Sequence, residues 1–361
     1  MEQDADLLVW REGVAGRLRL NRPQALNALT HDMALGIEKA LLEWRDDDAV
    51  KLVIIDAAGD KAFCAGGDIQ QLYALGKAGD YDPARKFWAE EYRLNALIAN
   101  YPKPYVAIMD GITMGGGVGV GAHGSHRIVT ERTMLAMPEV GIGFLPDVGG
   151  TWLLSRAPGK TGYYLGMTGA RMDAADAIYA GFADTYMESG KLDAFAAKLA
   201  ESADVVPVIA EFATRPPESQ LAAARTGIND AFGQSGPVAI ANRLEIMTNA
   251  GSDWAAAALA PAHSLGDVDR LAERVGVPDG ASARREVHQR GRRPRGRGRG
   301  GDGVDVDVAG EPLGGSGHRR RRASRDLHNV LLRTGDPPGR RTLQAQMAGS
   351  RAARKRSAIE N

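Results

Sequence analysis

Short apolar runs and segments with helical periodicity alternate along the first half of the chain. Residues 7–20 show the every-second-residue pattern of two half-buried strands around a glycine turn. From Thr30, a favourable N-cap, apolar residues recur every three or four positions as far as Trp44. Continuous apolar runs at 51–56 and 105–109 are typical of buried strands. Strands that alternate with helices in this way predict an α/β core.

The pattern changes after residue 150. Apolar residues then recur at helical spacing in short segments separated by glycines, and one further strand is predicted within GFADTYM, residues 181–187. The predicted helices cover residues 152–165, 174–181 and 192–203, with more helix and loop over 207–265. A helical layer packed on the α/β core is the simplest arrangement of these elements.

Charge divides the chain as well. Of 45 basic and 45 acidic residues, the segment 281–361 holds 20 and 8, which leaves 25 and 37 for the rest. Trp254 is the last aromatic residue, so the Arg- and Gly-rich tail has too little apolar surface to offset the entropy of ordering it. We expect a disordered tail, and we divide the chain into a core (1–200), a helical region (201–275) and a low-complexity tail (276–361).

Composition excludes several classes of protein. Hydrophobic residues make up 44% and charged residues 25%, as in soluble globular proteins, and no uncharged apolar run approaches the roughly 18 residues of a membrane span. The single cysteine, Cys64, excludes an internal disulfide framework and a cysteine-built metal site. The N-terminus lacks the basic and apolar regions of a signal peptide, and we read no transit peptide there. We expect a cytoplasmic protein without a membrane anchor or a metal.

Residues 105–150 hold the densest cluster of candidate functional residues. An apolar run leads through Ile112 into the triplet Gly115–Gly117 and then a small-residue segment, which predicts free backbone amides at a helix N-terminus, where negative charge is favoured. A second glycine loop, residues 63–68, follows another apolar run. Two such loops can each donate one N–H to the same carbonyl oxygen while the carboxylate of Glu139 acts on the adjacent carbon. This combination suggests thioester or acyl chemistry.

The segments that carry this pattern closely resemble the crotonase superfamily, and within it the 3-hydroxyisobutyryl-CoA hydrolase branch. They are residues 20–29, 61–69, 90–95, 103–119, 135–150 and 159–181. The resemblance implies a spiral of strand-strand-helix repeats with a helical C-terminal region, assembled as a trimer or hexamer. It also implies an acyl-CoA substrate, most of all 3-hydroxyisobutyryl-CoA, hydrolysed to 3-hydroxyisobutyrate and CoA in valine breakdown without a metal or redox cofactor.

Carried over residue by residue, the resemblance assigns roles to five positions. The amides of Gly67 and Gly116 would form an oxyanion hole, and Glu91, Glu139 and Asp147 would line the acyl pocket. Glu139 would be either the base that activates water or the nucleophile that forms a transient anhydride. Asp147 would bind the substrate hydroxyl or hold Glu139, and Glu91 would reach in from a helix. Three carboxylates in one pocket should raise at least one pKa.

Simpler interpretations stay open for the same residues. The glycines can be required for close packing alone, Glu139 and Asp147 can be turn residues, and Glu91 can be a solvated helix residue with Glu90 as an equal candidate. In the related enoyl-CoA hydratases a catalytic glutamate stands at the position of Gly119, so hydrolysis ranks above hydration. A hydratase or isomerase that uses Glu139 alone is the first alternative.

The C-terminal part gives two further alternatives. The hydrolases of this branch end in a helical segment with an EGVRA-like sequence and a DKD stretch, and neither occurs here. We therefore hypothesise a frameshift or gene-model error upstream of the tail, which would leave the protein as written inactive. The other alternative is a non-catalytic crotonase-like protein whose basic tail binds a partner or nucleic acid, although we expect no nucleic-acid partner.

Overall fold

The computed structural model describes residues 5–259 and residue 261. The basic tail, with its expected disorder and hypothesised frameshift, lies outside the described residues, and the domain limits at 200 and 275 stay a prediction. The strands are β1 (Leu7–Glu12), β2 (Ala15–Leu20), β3 (Leu52–Ala57), β4 (Ala62–Cys64), β5 (Tyr105–Met109), β6 (Ile112–Met114), β7 (His126–Val129), β8 (Met134–Ala136) and β9 (Thr185–Tyr186).

Helices surround these strands, and most of them follow β8. They are α1 (His31–Arg45), α2 (Ile69–Lys77), α3 (Asp82–Ala99), α4 (Gly116–Gly121), α5 (Gly150–Leu154), α6 (Thr161–Thr168), α7 (Ala174–Ala180), α8 (Leu192–Glu201), α9 (Val205–Phe212), α10 (Gln220–Ala231) and α11 (Pro237–Asn249). A further helical stretch begins at residue 253. Single 3-10 turns cover Pro23–Ala25, Glu139–Ile142 and Ser189–Lys191.

Two sheets are built by a repeating unit. The larger has the order β1-β2-β3-β5-β7-β9 and the smaller the order β4-β6-β8. Only β1 and β2 pair antiparallel in the larger sheet, and the other pairs in both sheets are parallel. Each of three successive units therefore gives one strand to each sheet and then turns into a helix. This confirms the predicted α/β spiral of strand-strand-helix repeats.

Each unit crosses between the sheets through a tight connection. In the second unit Asp110 and Gly111 alone join β5 to β6. Gly111 has φ +83°, and a Cβ on it would lie 2.6 Å from the carbonyl oxygen of Lys61, so the close approach of the preceding unit requires glycine. The same crossing carries the chain into the glycine triplet, which places the N-terminus of α4 after the carboxyl end of β6, the central strand of the smaller sheet.

Side chains of the larger sheet alternate between two cores. On β3, Val53 and Ile55 belong to a core shared with α1, α3 and α4, while Leu52 and Ile54 belong to a second core that includes Phe195 of α8. The strand is buried on both faces, as its continuous apolar run predicted. The site described below lies on the side of the first core.

Helix α1 begins and ends as the sequence predicted. The Thr30 side chain accepts a hydrogen bond from the Met33 amide, and the helix buries Ile37, Leu41 and Trp44 along one stripe. The predicted helix over 152–165 is instead two helices, α5 and α6, because Pro158 and Gly159 interrupt it. The glycine loop starts later than predicted, since residues 62–64 pair as a strand.

No helix among residues 5–259 and 261 has the length and apolar character to cross a membrane.

Candidate active site

The two glycine loops meet where the smaller sheet ends. Residues 65–68 follow β4, and Gly116 is the first residue of α4 after β6. The Gly67 nitrogen lies 3.2 Å from the point that a Cβ on Gly116 would occupy. Neither the Gly67 nor the Gly116 amide donates a hydrogen bond to another described residue. The structure therefore brings together the two free donors that the sequence predicted, at a helix N-terminus that favours negative charge.

Close packing also explains part of the glycine cluster. A Cβ on Gly117 would lie 2.2 Å from the Cys64 carbonyl oxygen, and one on Gly116 would lie 2.7 Å from Glu91 Oε1. The simpler interpretation therefore holds for Gly117, which packs α4 against β4. Cys64 is a buried free thiol whose burial raises its pKa to about 12, consistent with a small packed side chain.

Glu139 stands at the start of the 3-10 turn that follows β8. It is 6% exposed, and its Oε1 lies 3.3 Å from the point that a Cβ on Gly115 would occupy. Its Oε2 is buried without a hydrogen-bond partner among the described residues. Burial raises the pKa of Glu139 to about 7, and the charge of Asp147 raises it further. The carboxyl thus lies next to the glycine triplet, and no cation among the described residues pairs with it.

Glu91 and Glu90 are neighbours on α3 with opposite surroundings. Glu91 is 2% exposed, and its Oε1 has no partner among the described residues. Burial, and to a lesser degree the charge of Asp147, raises the pKa of Glu91 to about 8. Glu90 pairs with His31, and this hydrogen bond lowers the pKa of Glu90. The structure therefore places Glu91 against Gly116, whereas Glu90 turns to His31.

Asp147 completes the group of three carboxyls. The Tyr92 hydroxyl donates a hydrogen bond of 2.7 Å to Asp147 Oδ2. Burial raises the pKa of Asp147, and this hydrogen bond opposes the shift. Because the charge of Asp147 acts on both glutamates, the three acids share one electrostatic environment. The predicted rise of at least one pKa in this pocket agrees with the structure.

Three residues near the site had no assigned role in the sequence. Tyr92 holds Asp147, and the His123 ring bonds the carbonyl oxygen of Val148. The carboxamide of Asn95 is buried with neither its nitrogen nor its oxygen bonded to a described residue. Asn95 follows Glu91 by four positions on α3, and this helical spacing was the available signal that both share one face.

Among residues 5–259 and 261, no three His, Cys, Asp or Glu side chains are arranged to hold a metal ion.

Known proteins resemble this chain in sequence and in fold. The sequence profile described as enoyl-CoA hydratase/isomerase matches residues 15–265. The chain belongs to the enoyl-CoA hydratase/isomerase family. This confirms the predicted membership of the crotonase superfamily. Within it, the chain is most like the 3-hydroxyisobutyryl-CoA hydrolases.

Relatives of three kinds show the range of this family. The 3-hydroxyisobutyryl-CoA hydrolase of Gallus gallus is 49% identical over 52% of this chain and 49% of its own length. The small ribosomal subunit protein mS47 of Neurospora crassa is 46% identical over 51% of this chain and 37% of its own length. The crystal structure of a carnitinyl-CoA dehydratase from Mycobacterium thermoresistibile is 48% identical, covers 72% of this chain and 75% of that chain, and has a TM-score of 0.69.

The chain spans about half the length of the first of these relatives. That protein and further 3-hydroxyisobutyryl-CoA hydrolases of this family are named as mitochondrial. The cytoplasmic location expected from the single cysteine and the N-terminal sequence is therefore wrong.

Gly119 stands where the resemblance implied a catalytic glutamate in the related hydratases. A Cβ on Gly119 would lie 2.8 Å from Asn95 Nδ2 and 2.9 Å from Val148 Cβ. The space in which a side chain at position 119 would begin is thus filled by α3 and by the turn after Pro146. A glutamate at this position would need both neighbours to move.

Proposed function

We propose that this protein hydrolyses a short-chain β-hydroxyacyl-CoA thioester, with 3-hydroxyisobutyryl-CoA as the first candidate. One observation carries the proposal: Glu139 has a buried carboxyl oxygen without a partner among the described residues and lies against Gly115, the residue before Gly116, whose free amide lies near the free amide of Gly67. The 3-hydroxyisobutyryl-CoA hydrolases among its relatives support the choice of substrate. Coenzyme A enters as part of this substrate, and no cofactor is invoked.

The two amides would act on the thioester oxygen. When a nucleophile adds to the carbonyl carbon, negative charge develops on this oxygen, and the Gly67 and Gly116 N–H groups can donate to it. Each preorganised donor of this kind stabilises a transition state by about 3 kcal/mol. The helix dipole of α4 acts in the same direction.

Glu139 would supply the base or the nucleophile. As a base, it takes a proton from water while the water oxygen bonds to the carbonyl carbon, and the carbon–sulfur bond breaks as the CoA sulfur receives a proton. As a nucleophile, its carboxylate bonds to the carbon and expels the thiolate, and water then hydrolyses the anhydride. A pKa of about 7 suits either role near neutral pH, because a substantial fraction of Glu139 is ionised and still basic.

Asp147 and Glu91 would recognise the acyl group. Asp147 is held by Tyr92 through one oxygen, which leaves the other able to accept a hydrogen bond from a substrate hydroxyl. With a pKa of about 8, Glu91 is mainly protonated at neutral pH and can donate one. A hydroxyl group both donates and accepts, so this pair fits a β-hydroxyacyl substrate.

Two other functions each have an observation in their favour. The carnitinyl-CoA dehydratase structure favours addition or loss of water at a double bond, with Glu139 as the only catalytic acid. The mS47 relative favours a non-catalytic binding role. The packing at Gly119 weighs against the first, and the unpaired acids weigh against the second, since a binding protein gains nothing from burying them.

Acyl-CoA turnover by the full chain separates these functions. We expect free thiol from 3-hydroxyisobutyryl-CoA, and less from isobutyryl-CoA, which lacks the hydroxyl. With crotonyl-CoA, loss of the conjugated double bond without thiol release would instead identify a hydratase. No reaction with any of the three esters would favour the binding role. A trimer or hexamer stays a prediction, which analytical ultracentrifugation would test.

A further inference from the structure

The turn that carries Asp147 is held in an unfavourable backbone conformation. Val148 has φ +45°, in the left-handed region that β-branched residues rarely adopt. Gly149 follows with φ +75°, and the Gly150 amide donates to the Asp147 carbonyl oxygen. Residues in this region keep such a conformation only where surrounding contacts impose it. The contact that imposes it here is not supplied by Tyr92, which bonds the side chain of Asp147 rather than the backbone of the turn.

His123 makes the backbone contact. Its Nε2 lies 2.7 Å from the Val148 carbonyl oxygen. A Cβ on Gly149 would lie 2.6 Å from the same nitrogen, so the ring also fills the space beside the second residue of the turn. Because a carbonyl oxygen only accepts, Nε2 carries the proton in this contact. Burial lowers the pKa of His123, which favours the neutral ring, and the Val148 carbonyl oxygen selects the tautomer with the proton on Nε2.

Helix α4 also connects His123 to Gly116, one of the two proposed oxyanion donors. It lies two residues beyond the end of α4, whose first residue is Gly116. At about 1.5 Å of rise per residue, these six residues span roughly 9 Å. One end of α4 therefore presents the Gly116 amide, and the other end holds the backbone of the Asp147 turn. The helix sets the distance between the two.

We propose that His123 is a positioning residue that holds the strained Asp147–Gly150 turn and thereby fixes the Asp147 carboxylate relative to the Gly116 amide. The effect on turnover rests on the proposed function. The effect on the turn does not, since the hydrogen bond to Val148 and the contact with Gly149 exist whatever the reaction.

Amide hydrogen exchange tests, without any substrate, whether His123 stabilises the Asp147–Gly150 turn. The variant His123→Phe keeps a ring but removes the donor, and His123→Gln keeps an N–H that can reach Val148. We expect the Gly150 amide to exchange roughly tenfold faster in His123→Phe, because the local opening of the turn loses one opposing hydrogen bond. Exchange should return towards the wild-type rate in His123→Gln, and amides of β5 should not change.

His126→Phe is the matched control for this measurement. The His126 ring bonds the neighbouring Ser125 side chain and belongs to β7. Its loss should leave Gly150 exchange unchanged. Equal Gly150 exchange in the wild type and His123→Phe would overturn the proposal, as would equal acceleration by His126→Phe, which would indicate a general loss of stability.

A double-mutant cycle tests whether His123 acts through Asp147. We expect His123→Phe to lower kcat for 3-hydroxyisobutyryl-CoA about tenfold in the wild-type background and less than about twofold in an Asp147→Asn background, because residues that act as a unit are not additive. Equal losses in both backgrounds would overturn the catalytic part of the inference. Absence of thiol release by the wild type would instead reject the proposed function, and Gly150 exchange would still decide the role of His123.

Discussion

Buried carboxyl groups occur in two regions of this protein under opposite conditions. On β3, Asp56 is 8% exposed and accepts hydrogen bonds from the guanidinium groups of Arg17 and Arg19 at 2.6–2.8 Å. In the candidate active site, Glu91 and Glu139 are equally buried, yet each has a carboxyl oxygen without a partner among the described residues. No cation among the described residues pairs with either glutamate.

The difference shows what each region is for. The arginine pair around Asp56 is a structural solution, since a buried charge is tolerated when it is matched and hydrogen-bonded. The same fold leaves Glu91 and Glu139 unmatched, which costs stability and raises their pKa values. Buried acids without a matching cation are typical of sites where a group must exchange a proton or form a bond. Substitution of Asp56 should therefore lower stability. Substitution of the unmatched glutamates should instead lower activity or raise stability.

The largest expected effect is on turnover. Glu139→Gln removes the base or nucleophile while its size is kept, so we expect kcat for thiol release to fall about a thousandfold, or about 4 kcal/mol in barrier height. The circular dichroism spectrum should be unchanged. Glu43→Gln, an exposed position on α1, is the control and should keep full activity. Turnover by Glu139→Gln within a few fold of wild type would exclude Glu139 from the chemistry.

Substitution of Asp56, the carboxyl paired with two arginines, should cause the largest loss of stability. Asp56→Ala leaves the half-exposed Glu12 as the acidic partner of the buried Arg17 among the described residues, so the free energy of unfolding should fall by about 3 kcal/mol. Urea denaturation measures this change. Asp46→Ala breaks an exposed ion pair with Arg45 and should have little effect. Similar small losses in both variants would show that the β3 pair is not structural.

In the candidate active site, removal of the Glu91 charge should stabilise the fold at high pH. The folded-state pKa of Glu91 is raised to about 8, so its contribution to stability is full below its ordinary pKa and is lost as the pH rises through 8. Glu91→Gln should therefore match wild type near pH 4, be more stable by about 2 kcal/mol near pH 6, and be more stable by about 4 kcal/mol near pH 9. Denaturation at these pH values measures this.

Glu90→Gln is the neighbouring control for that prediction. The bond to His31 lowers the pKa of Glu90, so loss of its charge should bring no stabilisation at high pH. Stabilisation of both variants by the same amount would contradict the distinction between the two glutamates.

The smallest effect concerns the pH profile. Glu139 must be ionised to act, so kcat/KM should rise with pH through an apparent pKa near 7. Asp147 raises this pKa through its charge, so Asp147→Asn should move the acidic limb to lower pH. The shift should be a fraction of a unit, because burial is the larger cause. Glu43→Gln, at an exposed position on α1, is the control, and an upward shift in Asp147→Asn would contradict the shared environment.

Local patterns in the sequence predicted most of the fold. The apolar run of β3, the Thr30 cap of α1 and the glycine triplet before α4 each specify one element through neighbouring residues. The break between α5 and α6 was missed although Pro158 and Gly159 signal it. Helical spacing on α3 also places Glu91 four positions from Phe87 and from Asn95, so its burial was within reach of the sequence.

Contacts between distant segments could not be predicted in this way. The bond from Tyr92 to Asp147 joins residues 55 positions apart, and the bond from His123 to Val148 joins residues 25 apart. Neither belongs to a periodic pattern, and the positive φ of Val148 contradicts the preference of a β-branched residue. The resemblance supplied the candidate acids, whereas the groups that position them depend on the packing of α3 and α4.

Helix α4 is made only of glycine and valine, and all six of its residues are buried. Such a sequence has little tendency to form a helix by itself. We therefore expect it to coil late, after β4 and α3 have formed the walls around it. Collapsed chains in which α4 has not yet formed would lack the Gly116 donor and could not bind an oxyanion. Recovery of activity during refolding should therefore lag behind recovery of bulk helicity.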